Sequence, residues 1–320
     1  MVSFVHRLGT ISGAVPWGVF RWLTLLSVAA LIAGAYYWNP ARLSLIYAAG
    51  RASVCPYDRV MGAPGEIRRQ IAAKDRILYA SKKLETDAQG YERWSTPKGE
   101  YWIPKGSHFV LPFNLAEQER EIYTGTEVRV KAGAVVLDCG ANIGVFTRAS
   151  LDHGAAKVIA IEPAPENLEC LRRNFAKEIG DGRVVVYPKG VWDKDDVLTL
   201  QVDPHNSAAD SFLIHREGGH EGAKVPLTTI DKLTAELALE RVDFIKMDIE
   251  GAEVRALRGA QATIAKHHPL MALSAYHNPA DPVEVPQTVK AAWSGYRLEC
   301  GPCAEVTQNF SVRPDILYFY

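Results

Sequence analysis

The chain lacks several features that would assign it quickly to a class of protein. Its 320 residues include only five cysteines, an odd and scattered set, which argues against a disulfide framework and favours a reducing compartment. The net charge is −1, so no electrostatic attraction to nucleic acid is expected. The sequence also has no internal repeat and no low-complexity tract. These absences leave an ordinary globular domain with some additional N-terminal sequence.

A glycine turn after an apolar strand is the strongest positive signal. Residues 135–137 are Val-Val-Leu, and Asp138, Gly140 and Gly144 follow in the pattern D-x-G-x-x-x-G. A dinucleotide-binding turn would instead show G-x-G-x-x-G, whose amides hold a pyrophosphate. Asp138 would repel a pyrophosphate but attract an ammonium group, although a lone Asp here is also typical of a turn or cap. The pattern therefore disfavours an NAD-dependent oxidoreductase and favours S-adenosylmethionine, whose methionine end carries an ammonium group.

A second acidic residue completes the predicted cofactor site. Glu162 follows the apolar strand 157–161, 24 positions after Asp138, and can accept hydrogen bonds from both ribose hydroxyls. Asn142 and the amides of 140–144 lie at a helix N-terminus, where they can hold the cofactor carboxylate. We expect the adenine near 190–193. The predicted cofactor-binding residues are Asp138, Gly140, Asn142, Gly144, Glu162 and Asp193.

Three motifs together resemble the FkbM family of S-adenosylmethionine-dependent methyltransferases over residues 101–320. They are L-D-C-G-A-N-I-G at 137–144, V-D-F-I-K-M-D-I-E-G-A-E at 242–253, and L-S-A-Y-H at 273–277. The resemblance implies methylation of a hydroxyl on a small molecule, a sugar or glycan, or a secondary metabolite. The principal alternative is a non-catalytic, membrane-tethered binding protein that keeps the fold. The intact acids and glycines argue against that alternative.

Strand and helix patterns alternate after residue 112, which predicts a doubly wound, mostly parallel α/β sheet. This is the Rossmann-like fold of class I methyltransferases, which the order of elements resembles. The core strands are predicted at 135–138, 157–161, 184–187, 244–247 and 270–275, with an antiparallel closing pair at 296–299 and 316–320. Asp138, Glu162, Asp248 and His277 then fall at the carboxyl ends of separate strands, where such sheets bind ligands.

Methyl transfer to a hydroxyl also requires a group that removes the proton. His277 is the first candidate for this base, and Asp248 and Glu250 are the other predicted catalytic residues. Each has an alternative interpretation: His277 as a hydrogen-bonded structural residue, Asp248 as a helix cap, and Glu250 as a charge favoured at a helix N-terminus. Asp248 and Glu250 could also ligate a divalent ion, but no third oxygen ligand follows at suitable spacing, so no metal is predicted.

The N-terminal region, 1–50, is predicted to be a single-pass membrane anchor. Residues 22–41 carry no charge, and aromatic residues flank the apolar stretch 23–37. This stretch is shorter than the ~20 residues of a membrane span. A cleaved signal peptide and a packed or interfacial helix are the alternatives. Because S-adenosylmethionine is made in the cytoplasm, we expect the catalytic domain to face the cytoplasm.

The remaining segments have weaker signals. Residues 51–105 are predicted to be a helical connector, with one amphipathic helix over 66–84, leaving 106–320 as the methyltransferase domain. Cys300-Gly-Pro-Cys303 has thioredoxin-like spacing, but it precedes a final strand and is better explained as a Gly-Pro hairpin turn. The polar loop 203–224 is expected to cover the substrate. Its candidate contact residues are Ser207, Asp210 and Ser211.

Overall fold

The computed structural model describes residues 17–203, 206–215 and 217–320. The α-helices in this part of the chain are α1 (Trp17–Tyr37), α2 (Asn39–Ala48), α3 (Tyr57–Ala80), α4 (Val110–Glu119), α5 (Val145–Asp152), α6 (Pro165–Asn174), α7 (Ala176–Gly180), α8 (Ile230–Glu236), α9 (Glu253–Arg258), α10 (Gln261–His267) and α11 (Asp281–Ala292). The strands are β1 (Lys82–Thr86), β2 (Glu92–Thr96), β3 (Gly99–Ile103), β4 (Val135–Cys139), β5 (Lys157–Ile161), β6 (Val184–Tyr187), β7 (Gly190–Val191), β8 (Asp196–Val202), β9 (His220–Thr228), β10 (Phe244–Met247), β11 (Leu270–Ser274), β12 (Leu298–Cys300), β13 (Cys303–Val306), β14 (Ser311–Pro314) and β15 (Ile316–Phe319).

A seven-stranded sheet forms the centre of the fold, with the strand order β12-β15-β11-β10-β4-β5-β6. Strands β11, β10, β4, β5 and β6 are parallel, and β15 is antiparallel to both β11 and β12. This is the doubly wound, mostly parallel sheet of class I methyltransferases, closed by an antiparallel pair. The predicted fold of residues 106–320 is therefore confirmed.

The apolar strands are covered on both faces, as near-continuous Val/Ile/Leu runs require. Leu137 and Ile159 belong to a core cluster with residues of α8 to α11, whereas Val136 and Val158 belong to another that contains Phe146 of α5. Because successive side chains of a strand point to opposite faces, each central strand contributes to both layers. The sheet is the buried middle layer of the domain.

The register of the central strands brings their carboxyl ends to the same level. Cys139 pairs with Met247 on one side and with Ile161 on the other. The residues that follow these three positions, Gly140, Asp248 and Glu162, therefore leave the sheet together at one edge. This edge is where the sequence predicts the ligand site.

The predicted helical connector, 51–105, is only partly helical. Helix α3 begins at Tyr57, earlier than predicted, and β1, β2 and β3 then form an antiparallel sheet. Hydrophobic periodicity favours a helix here because the strands are short and lack clean alternation. The helical segment after β10 is divided into α9 and α10. Strands β7, β8 and β9 form a separate three-stranded sheet.

The predicted transmembrane helix is not supported. Helix α1 spans much of the predicted anchor, but among the described residues no helix combines the length and apolarity needed to cross a membrane. Its sequence includes Arg21, and the apolar part at 23–37 falls short of ~20 residues. Residues 1–16 of the predicted anchor region lie outside the described residues. The cytoplasmic orientation of the catalytic domain stays a prediction.

A disulfide bond joins Cys55, just before α3, to Cys303 in β13. The expectation that the cysteines are reduced is therefore wrong for this pair, which sequence spacing could not reveal because 248 positions separate its members.

Cys300 stays a buried thiol, so Cys300 and Cys303 do not form a thioredoxin-type pair. The predicted Gly-Pro hairpin is also wrong, because β12 pairs with β15 while β13 pairs with β14. Arg42 pairs with Glu305 and holds α2 against β13.

Candidate active site

Two adjoining cavities open at the carboxyl edge of the central sheet. The larger has a volume of about 360 Å³ and the smaller about 50 Å³. Both are lined by Gly140, Asn142, Ala208, Asp248 and Glu250. The larger is within the size range of small-ligand sites, and both lie where open α/β sheets bind ligands. The sequence-predicted Gly140, Asn142, Asp248 and Glu250 therefore lie together at one site.

The glycine turn fits this site only because two of its residues lack a side chain. Gly140 has φ +76°, and a Cβ there would lie 1.8 Å from the carbonyl oxygen of Asp248. Gly144 has φ +93°, and a Cβ there would lie 2.1 Å from Cε2 of Phe175. Gly140 thus lets the turn approach the loop after β10, and Gly144 lets α5 begin against α6. Gly144 shapes the turn without lining either cavity.

Glu162 lies in the wall of the smaller cavity, where its side chain is largely buried. One carboxylate oxygen accepts a hydrogen bond from the Asn142 amide at 2.8 Å, and the other accepts bonds from the Ala164 amide at 2.8 Å and from Asn167 at 3.4 Å. A carboxylate has about four acceptor positions, so roughly one remains for a ligand. Contact with a single ribose hydroxyl fits this geometry better than the predicted contact with both.

Asp138 lies beneath the glycine turn and lines neither cavity. Its carboxylate is fully buried, accepts a hydrogen bond from Thr147 at 2.7 Å, and lies 3.5 Å from Nζ of Lys246. Lys246 in turn donates to the carbonyl oxygen of Gly140 at 2.9 Å. The predicted direct contact between Asp138 and an ammonium group is therefore revised. Asp138 neutralises the lysine that supports the turn.

Asp193 also lies outside both cavities. It forms an ion pair with Arg255 at 2.8 Å, whereas its neighbours Gly190 and Val191 line the smaller cavity. The segment predicted to contact adenine thus lies at the site, but the side chain selected within it does not. Asp193 is revised to a surface ion-pair residue.

The three predicted catalytic residues form one cluster. Nε2 of His277 lies 3.5 Å from Oδ1 of Asp248 and 3.4 Å from Oε1 of Glu250. Asp248 also accepts a hydrogen bond from Tyr123 at 2.9 Å. Asp248 and Glu250 line the larger cavity, and His277 lies behind them, only 4% exposed.

The charges around His277 oppose its predicted role as a base. Burial alone would lower its pKa, but the carboxylates of Glu253, Glu250 and Asp248 outweigh burial and raise the pKa well above its ordinary value. The imidazole therefore carries a proton near neutral pH and has no lone pair with which to accept another. Asp248 is a weak base for a different reason, because its pKa is low. Burial acts to raise this pKa, but the charges of Lys246 and His277 outweigh burial and lower it.

The sequence analysis missed Glu117, a carboxyl in the wall of the larger cavity. Burial and the nearby charge of Asp248 raise the pKa of Glu117 to about 8. Lys246, Tyr123 and Tyr276 line the same cavity and were also missed. Lys246 follows two apolar residues of β10, and a lysine inside such a strand is the one available signal. Glu117 has no comparable signal because it lies on a short helix far from the motifs.

Residues of the loop after β8 line the smaller cavity, whereas the predicted cover over the substrate stays a prediction. The carbonyl oxygen of Ser207 accepts hydrogen bonds from Asn142 and Asn167, both at 3.0 Å. Ser211 donates to the carbonyl oxygen of Glu250 at 2.7 Å. Asp210 lines the cavity, and burial raises its pKa to about 7. These contacts join the loop to the glycine turn and to the cluster. Acceptor contact by these residues stays a prediction.

Comparison with known proteins points to one family. The model of the methyltransferase FkbM domain matches residues 138–300, about half of the chain. The chain is 27% identical over 266 residues to the AMB antimetabolite synthetase AmbE of Pseudomonas aeruginosa, an alignment that covers 68% of this chain but only 12% of that protein. It is 27% identical over 194 residues to the 31-O-demethyl-FK506 methyltransferase FkbM of Streptomyces tacrolimicus, which covers 50% of this chain and 74% of that enzyme. A solved structure, methyltransferase FkbM from Methylobacillus flagellatus, aligns with a TM-score of 0.45 and 22% identity, covering 82% of this chain and 62% of the other.

Proposed function

Because this chain belongs to the FkbM methyltransferase family, we propose that it transfers a methyl group from S-adenosylmethionine to a hydroxyl of a sugar, a glycan or a secondary metabolite. The relative from Streptomyces tacrolimicus is named as a methyltransferase of 31-O-demethyl-FK506, which supports an oxygen acceptor. The acceptor class rests on this relative and on the polar wall of the larger cavity.

The observation that carries the proposal is the adjacency of two chemically different cavities. The smaller one contains Glu162, with room for about one more hydrogen bond, and Gly140 and Asn142 of the glycine turn also line it. These features fit a ribose hydroxyl of S-adenosylmethionine, with Asn142 and the turn amides near its amino-acid end; at about 50 Å³ the smaller cavity must open further to hold the whole nucleoside. The larger cavity is lined by Glu117, Asp248 and Glu250, which suits a hydroxylated acceptor.

When bound, S-adenosylmethionine supplies an electrophilic methyl group: the bond from the acceptor oxygen to the methyl carbon forms as the carbon–sulfur bond breaks, and that electron pair neutralises the sulfonium. The protein must orient the acceptor, exclude water and accept the hydroxyl proton. We assign proton acceptance to the ionised form of Glu117: with a pKa of about 8, a minor fraction of this carboxyl is ionised near neutral pH, and that fraction is a stronger base than Asp248. Asp248 and Glu250 orient the hydroxyl, and His277 holds both carboxylates in place.

Transfer of a labelled methyl group tests this function. Purified protein is incubated with methyl-labelled S-adenosylmethionine and with separate fractions of small metabolites and glycans. We expect label in an alkali-stable methyl ether, and Glu117→Gln should reduce incorporation by about 10²-fold or more. Binding of S-adenosylhomocysteine without transfer to any fraction would instead support the non-catalytic binding protein.

A further inference from the structure

We propose that Asp248, Glu250 and His277 form a binding site for a divalent transition-metal ion in the inner wall of the larger cavity. Their ligand atoms, one carboxylate oxygen from each acid and Nε2 of the histidine, all lie within 4.8 Å of one another. The acids come from the loop after β10 and the histidine from the segment after β11, so two adjacent strands of the sheet position the set.

The environment of His277 points independently to a cation. Its side chain is 4% exposed, and within the described part of the chain Nε2 has no hydrogen-bond partner. The other ring nitrogen, Nδ1, lies 2.9 Å from Oε1 of the fully buried Glu253. Glu253 is itself fixed by the amide of Ile249 at 2.9 Å. A carboxylate that orients a histidine through Nδ1 and leaves Nε2 for a metal is the usual arrangement around metal ligands.

A carboxylate oxygen of Asp248 without a hydrogen-bond partner lies beside Nε2 of His277. Oδ1 of Asp248 is buried and lacks a hydrogen-bond partner among the residues that the structure describes, whereas its Oδ2 is held by Tyr123. A buried polar atom without a partner is costly, and an ion would satisfy both Oδ1 and Nε2, replacing the proton that Nε2 carries in its absence. Glu250 reaches the cluster from a backbone with φ +54°, a left-handed conformation that costs energy for a non-glycine residue.

The spacing of the ligand atoms favours one class of ion. Bonds of about 2.1 Å in a tetrahedral arrangement place neighbouring ligand atoms roughly 3.4 Å apart, against roughly 3.0 Å in a regular octahedron. The Nε2 to oxygen distances here are 3.4 and 3.5 Å. One imidazole and two carboxylates suit Zn²⁺ or Mn²⁺ better than Mg²⁺, which prefers oxygen ligands alone.

Such an ion would also define the acceptor more closely, an extension that rests on the proposed methyl transfer. Three protein ligands leave coordination positions open, and these face the cavity that Asp248 and Glu250 line. An acceptor with two adjacent oxygens, such as a vicinal diol or an α-hydroxy carbonyl group, can occupy these positions. The cation would lower the pKa of the reacting hydroxyl, whose proton then passes to Glu117.

Calorimetric titration of metal-free, non-reduced protein with Mn²⁺ tests the site. Mn²⁺ is the appropriate probe because free cysteines, such as Cys300, select Zn²⁺ rather than Mn²⁺. We expect one site, weakened at least tenfold by His277→Ala and by Asp248→Asn. Glu253→Gln should weaken it by about 10- to 100-fold, as is typical when the partner of a metal ligand is changed. His153→Ala, which changes an exposed histidine outside the cluster, should leave the affinity unchanged.

Titration of the same samples with S-adenosylhomocysteine separates the two proposals. Wild-type protein that binds S-adenosylhomocysteine, but shows neither Mn²⁺ binding nor Zn²⁺ binding that His277→Ala weakens, would refute the metal site and leave the methyltransferase proposal intact. Mn²⁺ affinity that is equal in wild type and in folded His277→Ala would also refute it. Mn²⁺ binding without S-adenosylhomocysteine binding would support the metal site and count against the proposed function.

Discussion

Lys246 and Asp138 form a buried ion pair beneath the glycine turn, with Nζ 3.5 Å from Oδ1 and side chains 5% and 0% exposed. Burial alone would lower the pKa of Lys246, but the carboxylates of Asp138 and Asp248 outweigh burial and raise it. The ammonium group is therefore charged, and it holds the carbonyl oxygen of Gly140 from below. The acid that the sequence predicts to bind the cofactor is thus part of an internal charge pair that supports the turn.

Removing one member of this pair should lower the free energy of unfolding. Asp138→Asn leaves the Lys246 charge without its nearest partner, and the free energy of unfolding should fall by about 3 kcal/mol or more. Chemical denaturation followed by circular dichroism measures the loss. Lys232→Met, which breaks an exposed pair with Asp195, should cost far less, because solvent screens that pair. Equal losses in the two variants would show that Asp138 and Lys246 are not coupled as described.

The turn should tolerate no side chain at Gly144. Gly144→Ala adds a Cβ 2.1 Å from the Phe175 ring at φ +93°, so we expect a loss of about 2 kcal/mol or more in unfolding free energy. Gly182→Ala is the matched control, because φ there is +73° and nothing lies within 4 Å of the added Cβ. It should cost about 1 kcal/mol. A Gly144→Ala variant as stable as the control would contradict the close packing of α5 on α6.

Glu117 should make stability depend on pH. Its pKa is about 8 in the folded protein against an ordinary value of 4.5, so the folded state binds the proton more tightly. Stability should therefore fall as the pH rises from about 4.5 to 8 and level off above that. Thermal unfolding between pH 5 and 9 should show a melting temperature that declines less in Glu117→Gln than in wild type.

Glu119 provides the control on the same helix. Burial acts to raise its pKa, but ion pairs with Arg76 and Lys98 outweigh burial and lower it. Its contribution is lost only as the pH falls below its ordinary value of 4.5, so Glu119→Gln should leave the slope between pH 5 and 9 unchanged. If Glu119→Gln flattened the profile and Glu117→Gln did not, the protonated state of Glu117 would be wrong.

The disulfide between Cys55 and Cys303 should stabilise the docking of the N-terminal helices. It closes a loop across 248 positions, and reduction should lower the unfolding free energy by about 3 kcal/mol or more. Denaturation with and without dithiothreitol measures this difference, which should vanish in Cys55→Ser and persist in Cys170→Ser. Alkylation of five cysteines in the denatured, non-reduced protein would show that the bond is absent.

The central sheet could be predicted from sequence because its strands carry an unambiguous pattern. Strands β5, β6 and β10 begin and end where predicted, since each is an apolar run bounded by polar or turn residues. The small sheet of β1 to β3 could not be predicted. Its first two strands are mostly polar, β1 is exposed and β2 is half-buried, so this local antiparallel sheet lacks the alternation of apolar and polar residues that would predict it.

The site was predictable in its location but not in its detailed chemistry. The motifs correctly bring Gly140, Asn142, Glu162, Asp248 and His277 to one edge of the sheet. The burial of Asp138 and the ion pair of Asp193 could not be read from spacing, because both depend on partners more than 60 positions away. The charge on His277 likewise arises from three carboxylates that only the folded loop assembles.

The central claim is that S-adenosylmethionine binds across the smaller cavity, with its ribose on Glu162. Calorimetric titration with S-adenosylhomocysteine tests it most directly, using Glu162→Gln and, as the control, Asp193→Asn, whose side chain lies outside both cavities. Thermal unfolding confirms that each variant is folded. The account predicts micromolar binding to wild type and to Asp193→Asn, and binding at least tenfold weaker to Glu162→Gln, as the loss of a hydrogen bond to a charged group implies. No binding to wild type, or equal affinity in folded Glu162→Gln, would contradict it.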